Sequence, residues 1–243
     1  MRRYSILMRR DLRDAVRDPM LLLILMGPLL LTALMRWGWP PASSWITSRT
    51  GIDVLAYTEE CFIFLITLIP LLVSVAAGLM MLDERDERMI DYYMVTPLRK
   101  HGYLIYRLTL PVIIACAMTW QFAAFSGLTG LSGEQVIPIV LLALEAPLFA
   151  LALVTFAADK VEGLALSKLI TLTLLGPVVA SFSPSTWQWL AWPLPTYWPA
   201  RLYLDLTEAG SDWLRMLTIF GTGLVLHGLF IVFLWRRFSA RLE

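Results

Sequence analysis

Residues 62–82 read FIFLITLIPLLVSVAAGLMML, an unbroken run that contains no charged side chain. A helix needs about 20 predominantly apolar residues to cross the hydrocarbon core of a bilayer. This run is therefore predicted to be the central part of a transmembrane helix that extends over about 55–82.

The composition of the whole chain also indicates a membrane protein. Of the 243 residues, 58% are hydrophobic and only 16% are charged, and the mean hydropathy is +0.68. A soluble domain carries about 25% charged residues. The net charge of +1 gives no indication of a nucleic-acid partner. Because Cys61 and Cys116 both lie in apolar runs, no disulfide framework is expected.

Six stretches are long and apolar enough to span a bilayer. The predicted spans are about 19–38, 55–82, 105–127, 135–158, 163–183 and 213–235. The polar segments between them are of two kinds, one dense in Arg and Lys and the other rich in Trp, Pro, Ser and Gly. Sixteen of the 20 basic residues lie in segments of the first kind, which are 1–18, 83–107, 159–168 and 236–243. The positive-inside rule therefore predicts that both termini are cytoplasmic in a multi-pass protein of the cell membrane.

The N-terminal segment, residues 1–18, is predicted to be an amphipathic helix. On a helical projection its six Arg fall within one arc of about 120°, opposite an apolar face. Such a helix lies in the membrane interface, with its Arg facing lipid headgroups or an adjoining protein. A plain topology anchor would give the same pattern, and both interpretations stay open.

The segment that follows the second span alternates in charge and then becomes amphipathic. It reads DERDERMIDYYMV over residues 83–95. Such a helix can be a solvated face held by neighbouring ion pairs. It can also be a docking surface whose apolar anchors are Met89, Tyr92, Tyr93 and Met94. Docking is favoured, because aromatic residues and Met are enriched in the cores of protein interfaces.

Four stretches of this chain, in the same order, resemble the permeases of type 2 ATP-binding-cassette exporters. They are DLRDAVRDPMLLLILMGPLL (11–30), LDERDERMIDYYMVTPLRKHGYLIYR (82–107), ADKVEGLALSKL (158–169) and WQWLAWPLPTYWPARLY (187–203). The last two are similar to the branch of fluoroquinolone-type export permeases. One departure is Arg88-Met89, where the family often has Gly after the run of acidic and basic residues.

The resemblance implies an all-α integral membrane protein in which residues 19–243 form a six-helix transmembrane domain. In this family a connecting helix, here residues 1–18, precedes the first span, and a coupling helix, here about 84–95, meets a separate ATPase subunit. Short re-entrant or interfacial helices precede the last span. The implied ATPase contacts are Glu84, Arg85, Glu87, Asp91, Tyr92 and Tyr93, with a smaller contact at Asp159, Lys160 and Glu162.

The chain is expected to bind no cofactor and to catalyse no covalent reaction. Its three lysines, Lys100, Lys160 and Lys168, lack the glycine pattern GxxxxGK[ST] that cradles phosphates. ATP and Mg²⁺ would therefore be bound by the partner ATPase. Because six spans form only half of a translocation pathway in this family, the resemblance also implies a second permease subunit, either an identical copy or a sibling.

Three acidic residues are candidates for the translocation path. Glu145 lies near the middle of the fourth span, where a charge costs roughly 2.5–3.5 kcal/mol on insertion scales. It is either a site on the substrate path or a hydrogen-bonded glutamate in helix packing. Glu59 and Glu60 begin the second span from the outside and are expected in an outer vestibule or among headgroups. His227, alone in the sixth span, is interpreted as a packing residue.

The family resemblance favours an exporter of hydrophobic or amphipathic substrates, drugs among them. Two other classes of protein are an intramembrane enzyme and a non-transporting membrane protein. An intramembrane enzyme would need paired carboxylates or a ligand cluster inside the bilayer. The polar residues there, Glu145, His227 and Cys116, are scattered singly, which disfavours such an enzyme. A non-transporting sensor or immunity protein of the same fold stays open.

Overall fold

The computed structural model describes residues 19–87, 89, 99–128, 136–208 and 212–241, and all regular secondary structure in these ranges is helical. The helices with described bounds are α1 (Pro19–Ala33), α2 (Trp39–Thr50), α3 (Thr58–Asp86), α4 (Arg99–Phe125), α5 (Val136–Phe156), α6 (Lys160–Thr171), α7 (Leu175–Phe182), α8 (Tyr197–Thr207) and α9 (Trp213–Arg241). A π-helical turn, Leu34–Gly38, joins α1 to α2. Short 3₁₀ turns occur at Val54–Tyr57, Leu172–Leu174 and Gln188–Ala191.

Five helical stretches within the described residues are long and apolar enough to cross a membrane. They are Val54–Asp86, Gly102–Phe125, Val136–Phe156, Lys160–Phe182 and Trp213–Ala240. They match the predicted second to sixth spans, and the prediction of an all-α integral membrane protein is confirmed.

The predicted first span, 19–38, is not among these five. Its backbone is helical throughout, as an α-helix over Pro19–Ala33 and a π-helical turn over Leu34–Gly38 that continues into α2, and its role as a span stays a prediction. The predicted connecting helix at 1–18, and residues 88 and 90–95 of the coupling segment, lie outside the described residues.

Helix α5 is the centre of the bundle and packs against α3, α4 and α9. Its sequence is apolar on all sides apart from Glu145 and Thr155, which is the pattern of a helix buried on most of its surface. The aliphatic core accordingly runs along α5, from Leu141 and Leu142 near one end to Leu153 and Val154 near the other.

The two ends of the bundle differ in chemistry. The basic end, predicted to be cytoplasmic, contains the C-terminal ends of α3 and α5 and the N-terminal ends of α4 and α6. The aromatic end holds a buried cluster in which Phe62 of α3 stacks on Phe122 of α4 at 5.7 Å between ring centroids and meets Tyr203 of α8 edge-on at 5.6 Å. As predicted for the segment before the last span, this end contains short helices, Gln188–Ala191 and α8.

Helices α3 and α5 approach each other closely at Gly78. A Cβ atom at this position would lie 2.7 Å from Leu153 Cδ1, 3.0 Å from Leu153 Cβ and 3.4 Å from the carbonyl oxygen of Ala150. Small residues allow membrane helices to pack with their backbones close together. Gly78 therefore sets the spacing between the two most buried helices.

We expect the Gly78→Val variant to be destabilised by about 1–3 kcal/mol, because the added methyl groups force α3 away from α5. The measurement is thermal unfolding of the purified protein in detergent. Gly228→Val is the matched control, since a Cβ at Gly228 in α9 meets no atom within 4 Å. Equal losses of stability in the two variants would contradict this account of Gly78.

Candidate functional site

The buried carboxylate of Glu84, in the last turn of α3, is the centre of a polar cluster at the basic end. Tyr103 Oη donates a hydrogen bond to Glu84 Oε2 at 2.7 Å, and Arg107 Nε donates to the same oxygen at 2.8 Å. Arg107 Nη2 donates to the second oxygen, Oε1. Glu84 and Arg107 are each 7% exposed. Bidentate, charge-assisted pairs are the strong hydrogen bonds of proteins, so this pair joins α3 firmly to α4.

The next residue, Arg85, connects α3 to α5. Its Nη1 donates to the carbonyl oxygen of Val154 at 3.1 Å, and its Nη2 donates to that of Ala157 at 2.8 Å. The last carbonyl groups of a helix have no partner within the helix, and the helix dipole favours a cation beside them. Because α5 ends at Phe156, Arg85 closes the C-terminus of this helix.

Lys160, the first residue of α6, holds the α5–α6 loop to the end of α3. Its Nζ lies 2.7 Å from Asp83 Oδ2, and its backbone N–H donates to Asp86 Oδ2 at 3.4 Å. The Lys160 and Asp83 side chains are about one-third exposed. A pair that is this open to solvent stabilises less than the buried pair of Glu84 and Arg107.

Asp159 and Glu162 shape the same loop by capping α6. The backbone N–H of Glu162 donates to Asp159 Oδ1 at 2.8 Å. In return, the backbone N–H of Ala158 donates to Glu162 Oε2 at 2.6 Å. This reciprocal pattern resembles a capping box, which satisfies amide donors at the start of a helix. Both side chains remain exposed.

We call this cluster the junction. It comprises Asp83, Glu84, Arg85, Asp86, Tyr103, Arg107 and Lys160. Through these side chains a single turn of α3 is fixed to α4, α5 and α6 at once. The junction therefore connects the end of α3 to three other helices through side-chain contacts.

The predicted ATPase-contact residues differ in exposure. Glu84 is buried and binds α4, whereas Arg85 is half-buried and binds α5. Glu87, one residue beyond the end of α3, is exposed. Asp91, Tyr92 and Tyr93 lie outside the described residues and stay predictions.

Two residues of the junction, Tyr103 and Arg107, were not among the predicted site residues. The sequence does contain a signal for Arg107, because it lies inside the predicted span 105–127. An Arg within a span needs a partner or a path to water, and the nearest acidic run is 83–91. No comparable signal exists for Tyr103.

At the aromatic end, Glu60 borders an open groove of about 300 Å³ between α2, α3 and α7. Glu60 Oε2 and Trp39 Nε1 are buried atoms that have no hydrogen-bond partner among the described residues. Most of the remaining lining is apolar or aromatic, including Tyr57, Phe64 and Phe182. A carboxylate among aromatic faces suits an amphipathic molecule that carries a positive charge. Glu59 does not line this groove.

Glu145 lies elsewhere, in the closed interior. It is 0% exposed, and neither of its side-chain oxygens has a hydrogen-bond partner among the described residues. Of the three acidic residues predicted for a translocation path, only Glu60 therefore borders this groove.

Comparison with known proteins identifies relatives of the chain. Residues 11–235 match the sequence profile of the family described as "Fluoroquinolones export permease protein Rv2686c-like". Two curated proteins from Mycobacterium tuberculosis are similar over nearly the full length, at 27% identity across 239 residues, which cover 96% of this chain and 92% of each relative. They are the fluoroquinolones export permease proteins MT2760 (strain CDC 1551 / Oshkosh) and Rv2686c (strain ATCC 25618 / H37Rv). No solved structure matches the chain significantly.

We expect Arg107→Leu to lower the free energy of unfolding by about 3–5 kcal/mol, because it leaves the Glu84 carboxylate buried without its counter-ion. Lys160→Leu, at the more exposed pair with Asp83, is the control and should cost about 1 kcal/mol or less. Both are measured by unfolding in detergent. If the Glu84→Leu/Arg107→Leu double variant is no more stable than Arg107→Leu alone, the loss does not come from an orphaned charge.

Proposed function

The chain belongs to the Rv2686c-like family of fluoroquinolone export permeases, and on this premise we propose that it is the membrane-spanning subunit of an ATP-binding-cassette exporter. It moves a hydrophobic or amphipathic substrate outward from the cytoplasm or the inner leaflet. A separate ATPase subunit binds ATP and Mg²⁺ and supplies the energy. A second permease subunit, identical or a sibling, completes the pathway.

The observation that carries this proposal is the junction at the basic end. A permease without its own ATP site must receive movement from a partner and pass it to several helices. The end of α3 is suited to this task, since Glu84 binds α4, Arg85 binds α5 and Lys160 holds α6. The basic end faces the cytoplasm under the positive-inside rule, which is the side where ATP is available.

The partner contact lies just beyond the junction. Glu87 is exposed and leads into the coupling segment that contains Asp91, Tyr92 and Tyr93. In this arrangement the surface residues bind the ATPase, and the buried Glu84 and the half-buried Arg85 transmit the displacement. The exposed residues of the α5–α6 loop, Asp159 and Glu162, provide the smaller second contact.

The groove at Glu60 is a candidate substrate contact at the opposite end of α3. Its apolar and aromatic walls suit the flat ring of an amphipathic drug, and the Glu60 carboxylate suits a basic amine. Fluoroquinolones, which the names of the relatives mention, commonly combine an aromatic ring system with a basic amine. We therefore extend the proposal to cationic or zwitterionic aromatic compounds as substrates.

We expect Glu87→Lys and Asp91→Lys to lose co-purification with the cassette ATPase subunit encoded beside this chain, because charge reversal removes attraction at the contact. Drug-stimulated ATP hydrolysis in proteoliposomes should fall in parallel. Asp53→Lys, an exposed acidic residue at the aromatic end, is the control and should leave both unchanged. Wild-type protein that associates with no cassette ATPase would favour the sensor or immunity protein instead.

We expect Glu60→Gln to raise the Kd of a cationic aromatic substrate roughly tenfold, since a hydrogen bond to a charged group contributes about 1.5–3 kcal/mol. The measurement is equilibrium binding of a fluorescent fluoroquinolone to purified protein. Glu59→Gln is the matched control, because Glu59 is adjacent in sequence and does not line the groove. Equal affinities of the two variants would remove Glu60 from the substrate path.

A further inference from the structure

Two buried titratable side chains, Glu145 in α5 and His227 in α9, have no part in the proposed transport path. Each is 0% exposed. Neither carboxyl oxygen of Glu145 nor the Nε2 atom of His227 has a hydrogen-bond partner among the described residues. Buried polar atoms in native proteins are nearly always paired, so both side chains require an explanation.

The register of α5 against α9 places the two side chains at the same level. Near the aromatic end, a Cβ at Gly223 would lie 3.0 Å from Leu141 Cδ1. Near the basic end, Arg237 Cζ lies 5.1 Å from the centroid of the Phe156 ring. These contacts are 15 residues apart on α5 and 14 apart on α9, so the helices run parallel and stay level. Glu145 and His227 each lie one helical turn beyond the contact at Gly223.

The imidazole of His227 lies on the face that α9 turns toward α5. The buried residues of α9 form one stripe along the helix, which consists of Met216, Gly223, His227, Leu234 and Phe238. The stripe packs against α5 and, toward the aromatic end, against α8, where Trp198 meets Gly223. His227 is farther than Gly223 from the aromatic end, so α5 is the helix that covers it.

The hydrogen-bonding capacities of the two groups are complementary. His227 Nδ1 lies 2.7 Å from the carbonyl oxygen of Gly223, and because a carbonyl only accepts, Nδ1 carries the proton. In the neutral ring Nε2 is therefore an acceptor. A protonated glutamic acid has one O–H to donate, and it is the form that avoids placing a charge at the centre of a membrane.

We propose that Glu145 and His227 form one proton-holding site between α5 and α9. The neutral carboxylic acid of Glu145 donates its O–H to one bridging water, and this water donates a hydrogen bond to Nε2 of His227. The site fixes the register of α9 against α5. The apolar stripe of α9 alone specifies this register only weakly. It also takes Glu145 out of the translocation path.

A double-mutant cycle in unfolding temperature tests the pair. We expect Glu145→Met and His227→Phe each to lower the Tm in detergent, because each leaves the other polar group buried without a partner. In the double variant both groups are replaced by apolar ones. Its loss of Tm should therefore be well below the sum of the losses in the two single variants. Strictly additive losses would overturn the proposal.

Infrared spectroscopy provides a second test, and its first comparison needs only the wild type and a near-isosteric variant. We expect the wild-type spectrum to contain the carbonyl stretch of a protonated carboxylic acid that disappears in the near-isosteric variant Glu145→Gln. His227→Phe should shift this band to higher frequency, because it removes the Nε2 atom that accepts the hydrogen bond in this site. Thr155→Val is the control, because Thr155 is an equally buried polar residue ten positions along α5.

Absence of the band from the wild type, or the same frequency in His227→Phe, would refute the site. Neither measurement needs the ATPase or a substrate. A negative result here therefore leaves the transport proposal intact, and a failure of that proposal leaves this site intact.

Discussion

The hydrocarbon core of a membrane offers no water to hydrogen-bond, so every polar group that enters it must find its partner inside the protein. This constraint explains the distribution of charge in the bundle. Glu84 enters the interior at the basic end and is met there by Arg107 and Tyr103. Asp205, buried in α8 at the aromatic end, has Arg215 Nε 2.7 Å from its Oδ1. In both cases the pairing joins two neighbouring helices, α3 to α4 and α8 to α9.

The same constraint explains why the helices differ in burial and polarity. Helix α5 is covered on all sides and carries almost no polar groups, so it serves as the core on which the others pack. Helices α3 and α4 are polar at their basic ends, where their charges are paired across the helix boundary. Helix α9 has only a narrow buried stripe, and the rest of its surface is apolar and exposed, for example at Leu229 and Val232. That surface is suited to lipid or to a second subunit.

Hydropathy predicts the long spans well because burial in a membrane requires only length and apolar composition, as residues 62–82 illustrate. It does not show where the helix type changes, since the π-helical turn at Leu34–Gly38 leaves the apolar pattern unchanged. The junction was harder to predict, because its contacts join residues that are distant in the chain. Arg107 is 23 residues from Glu84, and Lys160 is 77 from Asp83. The pattern of charges at 83–87 predicts a docking segment, and only the packing shows which of those charges face inward.

Because of its length and the position of Pro70, α3 consists of two rigid helical halves joined at a flexible point. Its 29 residues rise about 44 Å, against a hydrocarbon thickness of about 30 Å, so it overhangs the apolar layer. Pro70 lies midway and cannot donate the backbone hydrogen bond to the carbonyl of Ile66, which leaves a compliant point between two stiff halves. A force applied at the junction would bend α3 at Pro70. The half of α3 that carries Glu60 would then change its angle relative to the half that the junction joins to α4, α5 and α6.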